Sequence, residues 1–315
     1  MSAVSDSSPF HAGELALQRS VGSAEKVDAY ARRAIRDFLT EQHRDFFAQL
    51  PFVVAATVDE AGDVWATMLT GAPGFVSSPD PRTLHVAAGW DAGDPAREGG
   101  AVGRSIGLLG LEPTTRRRNR LNGVVRSSDE GPRIEVRESF GNCPQFIRQR
   151  DVSLARVEAA PPEELSALDD EARALVSGAD TFFVGSYADV EGTRRVDVSH
   201  RGGRPGFVKV SEAGVLTVPD FAGNNLFNTL GNFLVNPRAG LLFVDFESGD
   251  VLQLVGDVEV RSDASELATF RGAQRLWTVR PRRIVRRRGA TLRARAREDG
   301  VSPSTLRTGS WDETG

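Results

Sequence analysis

Three groups of residues in this 315-residue chain have the types and spacing to hold an anion. The run Arg116-Arg117-Arg118-Asn119-Arg120 alternates its guanidiniums. On a strand, Arg116, Arg118 and Arg120 share one face, and Arg117 and Asn119 take the other. Aligned arginines suit an anion site better than a core; a solvated charged face is the other reading. The segment Asp220-Phe221-Ala222-Gly223-Asn224-Asn225 precedes a short helix expected over 224–235. Asn224 and Asn225 could cap that helix, whose free N–H groups would then face an anion. Arg204 and Lys209 form the third group, and Lys209 is one of only two lysines, the other being Lys26. Five positions apart on a regular strand, they point to opposite faces, so a bulge or strand edge must bring them together. Ser199 and His200, just upstream, offer a hydroxyl and an imidazole to the same ligand, or simply a surface histidine.

Other chemistries lack their residues. His11, His43, His85 and His200 are scattered without metal-ligand spacing, and Cys143 is the single cysteine. The phosphate loops and nucleophile elbows of nucleotide and serine hydrolases are missing. A net charge of −4 gives no general attraction to nucleic acid or anionic membrane. The arginine-rich stretch from Arg275 to Arg297 lacks interleaved aromatics apart from Trp277, which argues against an RNA-binding surface. No run approaches the roughly 18 apolar residues of a membrane span, and Met1 to Ser8 has no leader pattern. A cytoplasmic location is expected.

The elements that must position these groups come in two similar sets. Phe52-Val53-Val54-Ala55-Ala56-Thr57-Val58 resembles Phe182-Phe183-Val184-Gly185-Ser186-Tyr187-Ala188, with Phe52 set against Phe182. Gly71-Ala72-Pro73-Gly74-Phe75-Val76 resembles Gly203-Arg204-Pro205-Gly206-Phe207-Val208, and Gly107-Leu108-Leu109 resembles Gly240-Leu241-Leu242. The spacing between partners drifts by only a few residues, as small loop insertions would produce. Each set opens with a helix, over 25–49 and 161–177, followed by a strand, over 52–58 and 182–188. Third strands are expected near 83–87 and 214–218, and a hairpin over 239–246 and 251–260. A helix over 265–275 and a closing edge strand over 276–285 follow, Pro281 being tolerable at an edge. The pattern predicts a flexible N-terminus (1–24), two domains (25–150 and 151–290) and a polar C-terminal tail (291–315). The fold class is mainly β with peripheral helices (α+β), as small antiparallel barrels, with a generic sandwich as the alternative.

Arg204-Pro-Gly-Phe-Val-Lys209, Gly214-Val-Leu-Thr-Val218, Asn236-Pro-Arg-Ala-Gly-Leu-Leu-Phe243 and Val255-Gly256 occur in an order that resembles the pyridoxamine-phosphate-oxidase-like FMN-binding split-barrel family. The stretches Leu109 to Gly123 and Ser139-Phe-Gly-Asn-Cys-Pro-Gln145 are similar to bacterial members. This resemblance implies two tandem split β-barrels forming a pseudo-dimer, with FMN between them. It implies phosphate anchoring by Arg204 and Lys209 and ring contacts from the Phe207–Val208 backbone. Members with oxidase activity carry Arg-Lys where this chain has Asn224 and Asn225, so Arg116, Arg118 and Arg120 are expected to supply the missing charge. The copies differ, with Ala72 and Ser77 opposite Arg204 and Lys209, so one site per chain is expected. The implied activity is a flavin-dependent oxidoreductase of unknown substrate, served by a nicotinamide donor, as a monomer or homodimer. A non-catalytic flavin or haem binder is the alternative.

Overall fold

The β-branched and aromatic runs around Phe52 and Phe182 form strands in the computed structural model, which describes residues 8–154, 159–262 and 265–313. Helices α1 (Ala12–Ser20), α2 (Ala24–Ala34) and α3 (Glu41–Ala48) come first. Strands β1 (Phe52–Val58), β2 (Val64–Thr70), β3 (Val76–Asp80) and β4 (Thr83–Val86) follow, then α4 (Ala96–Gly99), β5 (Ser105–Glu112), β6 (Arg117–Ser127) and β7 (Arg133–Gly141). Short strands β8 (Arg150–Ser153) and β9 (Glu163–Leu165) lead to α5 (Asp170–Gly178). The second half continues with β10 (Thr181–Val190), β11 (Thr193–Gly202), β12 (Lys209–Val210), β13 (Leu216–Phe221) and α6 (Asn228–Val235). It ends with β14 (Arg238–Val244), β15 (Val251–Arg261), β16 (Ala273–Arg287) and β17 (Arg293–Ala296). The protein is mainly β with a few helices.

Two large sheets share one strand order. The first runs β2-β1-β5-β6-β7-β4-β3 and the second β11-β10-β14-β15-β16-β13-β12, with β9 added beside β16. Their irregularities coincide: a register shift falls at Asn122/Gly123 in one and at Val255/Gly256 in the other. The registers also fix which residues correspond. Val53–Ala56 pair with Gly110–Gly107, and Phe182–Gly185 with Phe243–Gly240, so Val53, not Phe52, is the counterpart of Phe182. Setting Phe52 against Phe182 is a one-residue slip, which puts every side chain on the wrong face. Phe52 accordingly joins the apolar cluster shared by both sheets, whereas Phe182 lies inside its own half.

That shared cluster is the seam of the molecule. Val54, Leu109 and Leu111 from the first half pack with Phe183, Val198 and Leu242 from the second. Gly107 of β5 lies against Val196 and Asp197 of β11, and Gly240 of β14 lies against Val64 and Trp65 of β2. Each half also has its own core, around Phe46, Leu108 and Ile134 in one and around Phe182, Leu241 and Trp277 in the other.

Several expectations need correction. The helix over 25–49 is two helices, broken where Arg36 bridges to Ser139 and Thr40 caps α3. Residues 12–20, expected within a flexible N-terminus (1–24), form α1. Its His11 and Glu14 make a capping box, and Gly13 lies against Gly231 of α6. The helix over 265–275 shrinks to a single turn, Ser265–Ala268, because residues from Ala273 onward pair with β13 and β15 instead. Strand β16 is interior rather than an edge; Pro281 is accommodated at the bulge opposite Gly256, another place where a missing N–H is tolerated. The expected polar tail includes β17, paired with β8, and Trp311, whose indole N–H donates to the Phe207 carbonyl at 3.0 Å. Much of the arginine-rich stretch is paired within the chain: Arg282 and Arg283 meet Asp63 and Asp59, and Arg286, Arg287 and Arg288 meet Asp169, Asp94 and Glu171. Among the described residues no helix is long and apolar enough to cross a membrane.

Candidate functional site

A cleft opens on the seam, about 900 Å³ of space when its open mouth is counted. The first half contributes Arg118 and Arg120 from β6 and the segment after β7, including Asn142, Cys143, Gln145 and Phe146. The second half contributes Ser199, His200 and Arg201 from β11, Asp220 and Phe221 from β13, and the segment from Gly223 into the first turn of α6.

The guanidiniums here differ in how they are paired. Arg120 has a carboxylate partner: its Nε forms an ion pair with an Asp197 oxygen at 3.0 Å, Nη1 donates to Asn228 at 2.7 Å, and Nη2 donates to Ser199 at 2.5 Å. Arg118 donates to the Cys143 carbonyl at 2.6 Å and Arg201 to the His200 carbonyl at 3.3 Å. Among the described residues neither has a carboxylate within salt-bridge distance, and the Nε of each is buried without a hydrogen-bond partner. Burial, with Arg120 and Arg201 nearby, pushes Arg118 down to about 9. Burial also lowers Arg201, against the pull of Asp220. Uncompensated buried charge is costly, so such a pair marks a place where an anion belongs.

Neighbouring groups extend the pattern. His200 is 3% exposed, and its Nε2 is buried without a partner. Burial first, then Arg118, Arg201 and Arg150, holds it well below the ordinary histidine range, so the ring is neutral. The Oδ1 of Asn142 and the Oε1 of Gln145 are likewise buried without partners. Asp220 is raised by burial, opposed by Arg201 and Arg275, the latter 3.3 Å away. Phe146 and Phe221 stack across the seam with ring centres 5.2 Å apart. The N-cap of helix α6 is Phe227, left-handed at φ 59°, whose side chain has no acceptor to cap the first turn. Phe146 and Asn225 are also left-handed, at φ 64° and 57°. Bulky residues rarely adopt that conformation, and strain of this kind concentrates at binding sites.

Of the residues singled out from sequence, Arg118, Arg120, Ser199, His200, Phe207, Asn224 and Asn225 all line the cleft. Arg204 and Lys209 do not. Arg204-Pro-Gly-Phe207 is a turn closed by the Phe207 N–H to Arg204 carbonyl bond, with Gly206 at φ 84°, rather than a strand. Arg204 pairs with Glu313 at 2.5 Å, and Lys209 with Glu266 at 3.0 Å. Val208 is buried in the second core. Arg116 precedes β6 in a left-handed turn and donates to the carbonyls of Ile147, Gly300 and Val301, so it does not share the face of Arg118. Asn224 caps no helix; its side chain accepts from the Leu226 N–H at 3.2 Å. The sequence reading missed Arg201, which shares a strand face with Ser199 and was legible by that alternation. It also missed the site role of Asn142, Cys143 and Gln145, which lie in a stretch quoted only for its resemblance.

No family model and no curated protein matches the chain. Solved structures similar to part of it include HupZ of Group A Streptococcus, at 14% identity over 42% of this chain and 97% of that one, with a TM-score of 0.29. A pyridoxamine 5′-phosphate oxidase candidate from Lactobacillus delbrueckii is 17% identical over 33% of this chain and 95% of that one, with a TM-score of 0.27. HutZ, a heme storage protein from Vibrio cholerae, is 14% identical over 40% of this chain and 97% of that one, with a TM-score of 0.28.

Proposed function

We propose that the halves, 25–150 and 151–290, are tandem copies of one FMN-binding split barrel packed as a pseudo-dimer, and that the seam cleft holds FMN for an oxidoreductase. The observation carrying this reading is the pair of half-buried arginines, Arg118 and Arg201, whose buried Nε atoms have no partner and which have no carboxylate within salt-bridge distance, beside an uncapped helix start. A phosphate monoester near neutral pH carries close to two negative charges, matching that uncompensated charge. The residues present fit the cofactor. Arg118, Arg201 and the first turn of α6 would hold the phosphate, and Asn142, Gln145, Asn224 and Asn225 would meet the polar chain. Phe146, Phe221 and neutral His200 would border the ring. Bound FMN supplies the hydride or electron transfer; the protein's part is to orient it and limit water. A nicotinamide donor is the proposed co-substrate, and the protein is proposed to act in the cytoplasm as a monomer or homodimer.

The test is titration of the purified chain with FMN, followed by flavin fluorescence, and then reduction by NADH and NADPH under anaerobic conditions. Quenched fluorescence and donor-dependent bleaching support the reading; free FMN throughout overturns it. A second reading, a haem-binding protein, is favoured by one observation: a neutral buried imidazole with a free ring nitrogen, His200, is a competent iron ligand. A Soret band lost in His200→Ala would establish it.

A further inference from the structure

The matching registers locate the second seam, where the same elements meet with the halves exchanged. Leu109 pairs with Arg120 as Leu242 pairs with Gln253, so Gln253 stands where Arg120 does, and Val251 where Arg118 does. Val53 pairs with Leu69 as Phe182 pairs with Arg201, so Thr67, Met68 and Leu69 replace Ser199, His200 and Arg201. A cleft is present at this place too, bordered by Met68, Leu69, Asp94 and Ala290. None of the cationic or imidazole groups of the first cleft survives at its matched position.

In their stead lies a buried carboxylate. Asp94 accepts from Arg287 Nη1 at 2.8 Å and Gln253 Nε2 at 3.0 Å, and from the Thr67 hydroxyl and the Ala96 N–H. Two of these donors, Gln253 and Thr67, occupy the places of Arg120 and Ser199. The Asp94 and Arg287 side chains are 3% and 6% exposed. Arg287 also meets Asp91 at 2.6 Å. The carboxylate thus gathers donors from both halves, including a guanidinium two residues past Val285, where the first cleft has Asn142 two past Phe140.

We infer that Asp94 is an internal anion that engages the Arg287 guanidinium at the second seam, and so leaves that seam without a free cation for phosphate-bearing ligands. The assignment of the first cleft to phosphate is the reading on which this rests. One chain therefore binds one FMN, and at the second seam the Asp94 cluster ties the halves together instead.

Two measurements test this. Calorimetric titration of the wild-type chain with FMN should give one equivalent; two equivalents would overturn the inference while upholding the proposed function. Asp94→Ala should lower the Tm by about 5 °C or more, through the loss of a buried partner. Sodium formate, a carboxylate small enough for the vacated space, should restore at least half of that loss in a saturable way, and equal sodium chloride should not. Formate should raise the wild-type Tm by less than it raises that of Asp94→Ala, since in the wild type it can enter only the first cleft. Equal response to formate and chloride overturns the inference, and this arm is readable even if FMN fails to bind. Should Asp94→Ala not fold, Asp94→Gly at lower temperature with and without formate gives the same comparison, recovery of soluble protein replacing Tm.

Discussion

Arg118 and Arg201 are poorly placed for stability and well placed for binding, and that conflict yields opposite signs in two measurements. Replacing either by methionine removes a half-buried charge that has no carboxylate partner, so the Tm of the ligand-free protein should rise. The same change removes charge-assisted bonds to phosphate, each worth about 1.5–3 kcal/mol, so FMN affinity should fall about 10–100-fold. A variant that loses stability and affinity together would mark these arginines as structural. Double replacement of Arg204 and Lys209 by alanine should change affinity less than about threefold, since Glu313 and Glu266 hold them outside the cleft. The pH profile follows from the same groups. Phosphate loses its second charge below about pH 6, and Arg118, pushed down to about 9, loses its own above that. Affinity should therefore peak between these values, and Arg118→Met should remove the alkaline limb.

At the scale of elements, α1 deserves its place in the fold through one buried acid. Glu14 accepts from the His11 N–H at 3.0 Å and from Asn228 Nδ2 at 2.7 Å, and Asn228 in turn accepts from Arg120 in the cleft. Burial is the main cause raising Glu14 to about 8, with Glu138 and Asp197 adding to it and its two hydrogen bonds opposing. A carboxyl whose folded value lies above its unfolded 4.5 contributes stability that is full below 4.5 and is lost as pH rises through about 8. Docking of α1 on α6 should thus weaken as pH rises from about 4.5 to about 8, read as faster amide exchange over 12–20. Glu14→Gln, which mimics the protonated form, should flatten that dependence; an unchanged slope would sink the assignment. This contact explains why α1 was not legible in the sequence. Its moderate amphipathicity is that of a solvated segment, and partners distant in sequence, Gly231 and the amides Asn228 and Asn232 with the core around Leu17, make it a docked helix. The strands were legible because two-residue alternation and glycine turns are local. The break at Ile35–Thr40 and the interior place of β16 depend on partners remote in sequence, Ser139 and β13. In the site, the alternating arginines of β6 were legible; Arg204 was misplaced because Pro205-Gly206 closes a turn that a strand pattern hides.

For the whole molecule, the decisive contact is the approach of β14 to β2, since both clefts exist only while the halves stay at this separation. A Cβ on Gly240 would overlap the carbonyl oxygen of Val64 and crowd its backbone, and neither is the movable end of a side chain. Gly107 faces Val196 and Asp197 in the matched position with slightly more room, its nearest contact being 2.8 Å. Relief of either clash requires the sheets to part, which exposes apolar residues of the shared cluster such as Phe52 and Leu242 at about 25 cal/mol per Å². Gly240→Val should therefore be severely destabilising, Gly107→Val somewhat less so, and both should lose FMN binding although neither residue borders the first cleft. Gly141→Ala, beside the same cleft but with only Asn119 at 3.5 Å, serves as the control and should leave Tm within about 2 °C. If Gly240→Val instead unfolds no more readily than Gly141→Ala, the halves tolerate separation, and a cleft formed jointly by Arg118 and Arg201 could not be held together by the seam.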